Sequence, residues 1–265
     1  MTAATETLEA GGAEQATALR VLASIDLTSL EDARDDDVAA LCAKAVTAYG
    51  PVAAVCSWSD HVETMARQLD RTPPRIAAVV NFPGGDDDVA AAVEEAGRAV
   101  DLGADELDLV WPYRAWLDGR RDAALKVVTA VRAAGAQCVL KVILETGAFD
   151  EDAGAIGEAG TALIEAGADM LKTSTGKIPQ GASPLAARAL LEAIARSAGE
   201  TGFKASGGIR SLEEAAGYLA LADEIMGRGW AKPATFRIGA SRLLDDVLAV
   251  LGGSPSGEVA ASDGY

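Results

Sequence analysis

The sequence predicts an α/β fold, a (β/α)8 TIM barrel with a short N-terminal helix and a flexible C-terminal tail. Short segments rich in Val, Ile, Leu and Ala recur along the chain. Each is followed by a longer alanine-rich amphipathic segment, the pattern of βα units that build a parallel sheet. Eight such strands can be counted, and 265 residues without an internal linker suit one barrel better than an open doubly wound sheet.

In order, the strands read as 21–27 (VLASIDL), 52–58 (VAAVCSW), 75–82 (RIAAVVNF), 104–111 (ADELDLVW), 138–146 (CVLKVILET), 168–175 (ADMLKTST), 202–207 (GFKASG) and 235–241 (TFRIGAS). Helix starts are marked by the acidic runs at 35–37 and 86–88 and by Ser183 before Pro184, where a serine cap and a first-turn proline fit. Several helices end at glycine, in AVDLGAD, VRAAGAQ and IEAGAD, where the left-handed conformation is expected. Outside the barrel, taken as 21–251, residues 1–20 hold a short amphipathic helix that covers the barrel bottom. The small, polar segment 252–265, ending in Tyr265, reads as a flexible tail.

Composition excludes several classes of function. No apolar run reaches the roughly 18 residues of a membrane span, and the N-terminus has neither a basic region nor an apolar core, so a cytoplasmic protein is expected. A net charge of −17 with no basic run argues against nucleic acid and anionic membranes. Three widely spaced cysteines and a single histidine, His61, supply no metal set. Cys56 has no histidine partner in any motif and reads as a small buried residue, and the tryptophans read first as packing.

The chemistry gathers at strand ends. In a barrel the carboxyl ends of the strands converge on one open face, and here they carry Asp26, Cys56, Asn81, Asp108, Lys141, Glu145, Lys172, Ser174, Lys204, Ser206 and Ser241. Alternation puts Met170, Lys172 and Ser174 on one face and Val139, Lys141, Ile143 and Glu145 on another. A single charge of this kind is more often a solvated rim residue or a structural ion pair. Three lysines on adjacent strands, among apolar and small neighbours, are harder to explain that way. Two ammonium groups about 4 Å apart repel by roughly 4 kcal/mol at an effective dielectric near 20, or about three pKa units. One should therefore lose its proton and become a nucleophile toward carbonyls, with a carboxylate such as Asp108 moving protons. A second cluster, TSTGK (173–177), SGGIR (206–210) and RIGASR (237–242), places glycines beside Lys177 and Arg210 at the ends of strands six to eight. That is a common phosphate site of this fold.

The segments SIDLTSL, VVNFPGG, ADELDLVWPYRAW, LKVILETG, ADMLKTSTGK, GFKASGGIRS and FRIGASRLL resemble the 2-deoxy-D-ribose-5-phosphate aldolases, in order, over about residues 18–250. The resemblance implies reversible cleavage of deoxyribose 5-phosphate to acetaldehyde and glyceraldehyde 3-phosphate without metal or cofactor. It implies Lys172 as the Schiff-base lysine, Lys204 as the lysine that lowers its pKa, and Asp108 as the carboxylate that relays protons through a water. Asp26 and Lys141 take supporting roles, and the phosphate lies on Gly176, Lys177, Gly207, Gly208, Gly239 and Ser241. The chain departs from the family at Arg242, where a second serine is common, at Gly84 and Gly85, and in VCSWSDHV, which lacks a proline.

Two other readings stay open: another lysine-dependent sugar-phosphate aldolase or transaldolase, with a ketose donor, and a non-catalytic sugar-phosphate binding barrel. A homodimer is compatible with the sequence, which does not fix the assembly. Some members of the family end in a tyrosine that assists proton transfer at the enamine carbon, a role the resemblance extends to Tyr265. Deleting Tyr265 is then expected to slow proton exchange at acetaldehyde, followed by NMR, with the fold intact. Unchanged exchange removes that role.

Overall fold

The computed structural model describes residues 3–31, 34–197 and 199–252. The tail from residue 253 on, with Tyr265, lies outside the described residues. Eight parallel strands close into a barrel: β1 Ile25–Thr28, β2 Ala54–Trp58, β3 Arg75–Val80, β4 Glu106–Val110, β5 Val139–Ile143, β6 Met170–Lys172, β7 Gly202–Ser206 and β8 Phe236–Ala240. Strands adjacent in sequence are adjacent in space, and β8 closes on β1 through Ile25–Ile238, Asp26–Gly239 and Leu27–Ala240.

The helices are α1 Ala3–Ser24, α2 Asp35–Lys44, α3 Val62–Gln68, α4 Val89–Asp101, α5 Tyr113–Leu117, α6 Arg121–Ala134, α7 Ala153–Glu165, α8 Pro184–Arg196, α9 Leu212–Met226 and α10 Leu243–Leu251. Their starts follow the local chemistry. Asp88 accepts from the amide of Ala91 (3.0 Å), Ser183 from Ala186 (3.2 Å) with Pro184 in the first turn, and Ser211 forms a capping box with Glu214.

Four expectations change. Residues 21–24 are not strand: the helix expected within 1–20 runs on as α1 to Ser24, because buried Ala18, Val21 and Leu22 recur at helical spacing. That helix packs on α9 and α10 and is tied to α9 by two 2.7 Å hydrogen bonds from Arg20 to Asp223. Strand six keeps only Met170–Lys172 of its predicted eight residues. Thr173 leaves it to exchange hydrogen bonds with Ser206, its hydroxyl bonding the carbonyl and the amide at 3.0 Å each. Strand five ends at Ile143, so Glu145 does not extend the Lys141 face. It turns to a φ of 57°, and its carboxylate accepts from the Thr175 amide (3.2 Å) and hydroxyl (2.5 Å). Of the three helix-ending glycines, Gly103 and Gly167 have positive φ, but Gly135 sits at −108°.

The core has two parts. Between strands and helices lies a large apolar layer that takes the outward-facing Leu107, Leu109, Val142, Leu171, Phe203 and Ile238. Inside the barrel, Ala54, Cys56, Ala77 and Val79 of β2 and β3 pack together on one side. Across from them lie buried charges, with Met170 and Ile143 on the same inward faces as Lys172 and Lys141.

Candidate active site

Strand alternation turns Asp26, Glu106, Asp108, Lys141, Lys172, Lys204 and Arg237 toward the barrel axis, and the register sets Asp108 beside Lys141, Lys172 beside Lys204 and Lys204 beside Arg237. All seven are buried. Lys141 Nζ donates to Asp26 Oδ2 (3.0 Å) and Asp108 Oδ1 (2.8 Å) and meets Glu106 Oε2 at 2.6 Å. Lys204 Nζ meets Asp26 Oδ2 at 2.5 Å and donates to Asp108 Oδ2 at 2.7 Å. Lys172 Nζ donates to that same Asp108 oxygen, also at 2.7 Å. Arg237 donates to Asp26 Oδ1 (2.6 Å) and forks onto both oxygens of Glu106 (2.7 and 3.1 Å). Among the described residues no buried side-chain nitrogen or oxygen lacks a partner.

Lys204 spans from β7 to Asp26 on β1 by passing over Gly239 of β8. A Cβ on Gly239 would lie 2.7 Å from Ser206 Oγ and 3.0 Å from Lys204 Cε, so any larger residue would press both side chains aside from this path.

The two amines on Asp108 differ in charge preference. Burial pushes the Lys172 ammonium below the ordinary lysine value, Asp108 pulls it back up, and Lys204 pushes it down again. For Lys204 burial also lowers, but Asp108 and Asp26 together outweigh it, and its value is raised. Lys141, against three carboxylates, is raised well above the ordinary value in spite of burial. Burial alone would raise Asp26 and Asp108; the surrounding cations overcome it and hold both carboxyls far below the usual range. Lys172 is thus the amine held closest to neutrality, and the foremost cause is desolvation, ahead of the lysine repulsion expected from sequence. The Cys56 thiol, 3.9 Å from Asp108, is pushed up by burial and by that carboxylate, away from thiolate chemistry.

Lys172 opens outward into a cleft of about 450 Å3 at the carboxyl ends of the strands. Its walls include Gly176, Lys177, Gly207, Gly208, Arg210, Gly239 and Ser241, joined by Arg242. Gly207 (φ 97°) approaches the next loop so closely that a Cβ on it would stand 3.0 Å from the Cα of Gly181. Lys177 is exposed and donates to the carbonyl of Leu30 (2.9 Å), drawing the β6 loop toward the β1 loop. The start of α9 is already occupied, since Glu214 accepts from the amides of Arg210 (2.7 Å) and Ser211 (3.2 Å). The side-chain cations at the cleft are Lys177, Arg210 and Arg242, beside the start of α10, which no side chain among the described residues caps.

The structure thus brings together the five buried residues singled out in sequence, and gathers the glycine-loop residues around one cleft. His61 lies in the short turn Ser59–His61 after β2, away from the cleft, and Trp111 is a buried packing residue whose indole donates to the carbonyl of Leu144 (3.0 Å). Sequence reasoning missed Glu106 and Arg237. Period two carried from Asp108 to 106 and from Gly239 to 237 marks both as inward-facing.

Residues 16–244 match a family described as the DeoC/LacD family aldolase. A deoxyribose-phosphate aldolase of Agrobacterium fabrum is 46% identical over 263 residues, covering 98% of this chain and 100% of that one. Among solved structures, the aldolase QR15 superposes with a TM-score of 0.73 at 29% identity, covering 86% of this chain and 96% of its own. A deoxyribose phosphate aldolase from Aeropyrum pernix, described as a unique tetramer, gives a TM-score of 0.73 at 25% identity, over 94% and 98%.

The depressed carboxylates tie stability to acid. A carboxyl whose value falls on folding contributes fully above its unfolded value near 3.9, and that contribution is lost as pH falls toward the folded value. Below about pH 4 each such group steepens the loss of stability by up to about 1.4 kcal/mol per pH unit. Urea unfolding between pH 5 and 3 should show a mean slope shallower by about 0.6 kcal/mol per pH unit for Asp26→Asn than for the parent protein, because the unfolded carboxyl is only partly protonated over that range. Equal slopes would contradict the assignment.

Proposed function

The chain belongs to the DeoC/LacD family of aldolases, and from that premise we propose that it cleaves 2-deoxy-D-ribose 5-phosphate reversibly to acetaldehyde and D-glyceraldehyde 3-phosphate through a Schiff base on Lys172. The observation that carries this reading is the pair of lysines, Lys172 and Lys204, sharing one oxygen of Asp108 at the floor of a cleft edged with cations and glycines.

In this mechanism the neutral amine of Lys172 adds to the aldehyde carbon of the open-chain sugar. The carbinolamine loses water to give an iminium ion, with Asp108 placed to carry the proton. The iminium draws electrons from the C2–C3 bond. As the C3 hydroxyl gives up its proton, that bond breaks, glyceraldehyde 3-phosphate departs and an enamine of acetaldehyde remains. Protonation at C2 and hydrolysis release acetaldehyde and return the amine. Lys204 keeps Asp108 ionised and adds positive charge beside the nucleophile, while Asp26 and Lys141 hold that pair in place. Tyr265 would assist at the enamine carbon.

The phosphate would lie on Gly176, Gly207, Gly208, Gly239 and Ser241, with Lys177 and Arg210 opposing the overall charge of −17. Arg242 would supply a charged contact where relatives carry a hydroxyl. Catabolism of deoxyribonucleosides in the cytoplasm, by a homodimer acting only on small molecules, fits this chemistry. No helix among the described residues is long and apolar enough to cross a membrane.

Incubation with acetaldehyde and borohydride followed by peptide mapping should find a reduced ethyl adduct on Lys172, and Lys172→Ala should abolish turnover. No adduct on any lysine sinks the Schiff-base reading. Arg210→Gln should raise KM several-fold for deoxyribose 5-phosphate and leave unphosphorylated deoxyribose unaffected; an equal effect on both would remove the phosphate assignment.

A further inference from the structure

The deepest charges of the barrel have no part in the mechanism above. Glu106 begins β4 and Arg237 lies early in β8, below the plane of Asp108 and Lys172 and next to a hollow at the amino-terminal end of the barrel. The guanidinium is fastened on every side: its Nε donates to the carbonyl of Pro233, and its Nη atoms hold Asp26 and both oxygens of Glu106. Glu106 in turn meets Lys141 at 2.6 Å. A bidentate pair of this kind, with an arginine that does not deprotonate, is a fixed pair of charges.

The contacts rank the cations by how many carboxylates each one holds. Lys141 touches three, Asp26, Glu106 and Asp108. Lys204 touches two, Asp26 and Asp108. Arg237 touches two, Asp26 and Glu106. Lys172 touches only Asp108, through an oxygen it shares with Lys204. The remaining titratable groups facing Lys172 form no bond with it. Cys56 looks in from β2 and stays a thiol, and Glu145, beyond β5, directs its carboxylate to Thr175. When Lys172 is unprotonated, Asp26, Glu106 and Asp108 face Lys141, Lys204 and Arg237, and the bonded cluster is electrically balanced. A protonated Lys172 leaves one unbalanced positive charge on a largely buried side chain at the inner end of the cleft, which is disfavoured.

We propose that Glu106 and Arg237 are positioning residues that set the charge balance of the buried cluster, through Asp26 and Lys141, and so determine whether Lys172 rests as a neutral nucleophile. The inference depends on the Schiff-base role of Lys172. Removing the positive charge of Arg237 makes the cluster accept a proton, and Lys172 is the amine free to take it. Removing the negative charge of Glu106 does the reverse. A unit charge about 10 Å away at an effective dielectric near 20 moves a pKa by roughly one unit.

The test is the pH at which trapping of acetaldehyde on Lys172 by cyanoborohydride reaches half its maximal rate, in the full chain, with the adduct located by peptide mapping. Arg237→Met should move this half-point up by about one pH unit, and Glu106→Gln should move it down by a similar amount. The double variant should return near the parent value, and Arg237→Lys, which keeps the charge, should stay there. A general loosening of the barrel would move both single variants the same way, and that result, or unmoved half-points with trapping intact, overturns the proposal. If Arg237→Met does not fold, Glu106→Gln decides alone, since an unmoved or raised half-point there is equally fatal. A parent enzyme that forms no adduct on Lys172 would instead defeat the aldolase reading, so the two failures are distinct.

Discussion

A single carboxylate oxygen, Asp108 Oδ2, accepts hydrogen bonds from two lysines that arrive from neighbouring strands. Much else in the barrel follows from that sharing. One oxygen cannot fully compensate two buried ammonium ions, so the cluster is relieved if one of them is neutral. The neighbours determine which one. Lys204 also reaches Asp26 and keeps its proton; Lys172 has no second carboxylate and is the amine pressed toward neutrality. Unequal sharing thus singles out Lys172 as the least basic amine of the cluster, with desolvation as the largest cause and Lys204 as a reinforcement.

The scaffold is shaped around this arrangement. On the β2 and β3 side the interior is filled by small apolar residues, leaving the opposite side for long charged chains. Gly239 leaves the passage through which Lys204 reaches β1. β6 ends at Lys172, so the chain past it is free to form the loop that carries Gly176 and Lys177 into the cleft. Capped helices anchor these loops: Ser183 caps α8 and Ser211 caps α9, where Glu214 accepts from the amides of Arg210 and Ser211. Side-chain cations of the loops, Lys177, Arg210 and Arg242, stand at the cleft as local positive charge on a chain whose net charge is −17.

The barrel is legible in the sequence because eight apolar segments alternate with amphipathic ones, and period two exposes Lys141, Lys172 and Lys204 as charges inside strands. The misreadings have physical origins. VLAS at 21–24 has the composition of a strand but the spacing of a helix face, and the contacts with α9 and α10 settle it as helix. Glu145 fits the alternation of β5 on paper, yet a left-handed turn redirects it to Thr175. Gly135 follows a helix as Gly103 and Gly167 do, but its φ stays negative, and a Cβ there would run into Leu107. Glu106 and Arg237 escaped notice because a charge early in a barrel strand reads as part of the floor. Only the contacts show that they join the buried cluster. No pattern in one sequence tells how many carboxylates each lysine meets, since that depends on strands far apart in the chain.

Burial and unequal sharing leave Lys172 the easiest lysine of the cluster to deprotonate. The most direct measure of this is an NMR pH titration of the substrate-free enzyme with isotope-labelled lysine, the Lys172 signal assigned by comparison with Lys172→Met. Lys172 should titrate below the ordinary lysine value of about 10.4, and Lys204 and Lys141 above it. A Lys172 that titrates at or above the ordinary value, or above Lys204, would contradict that order.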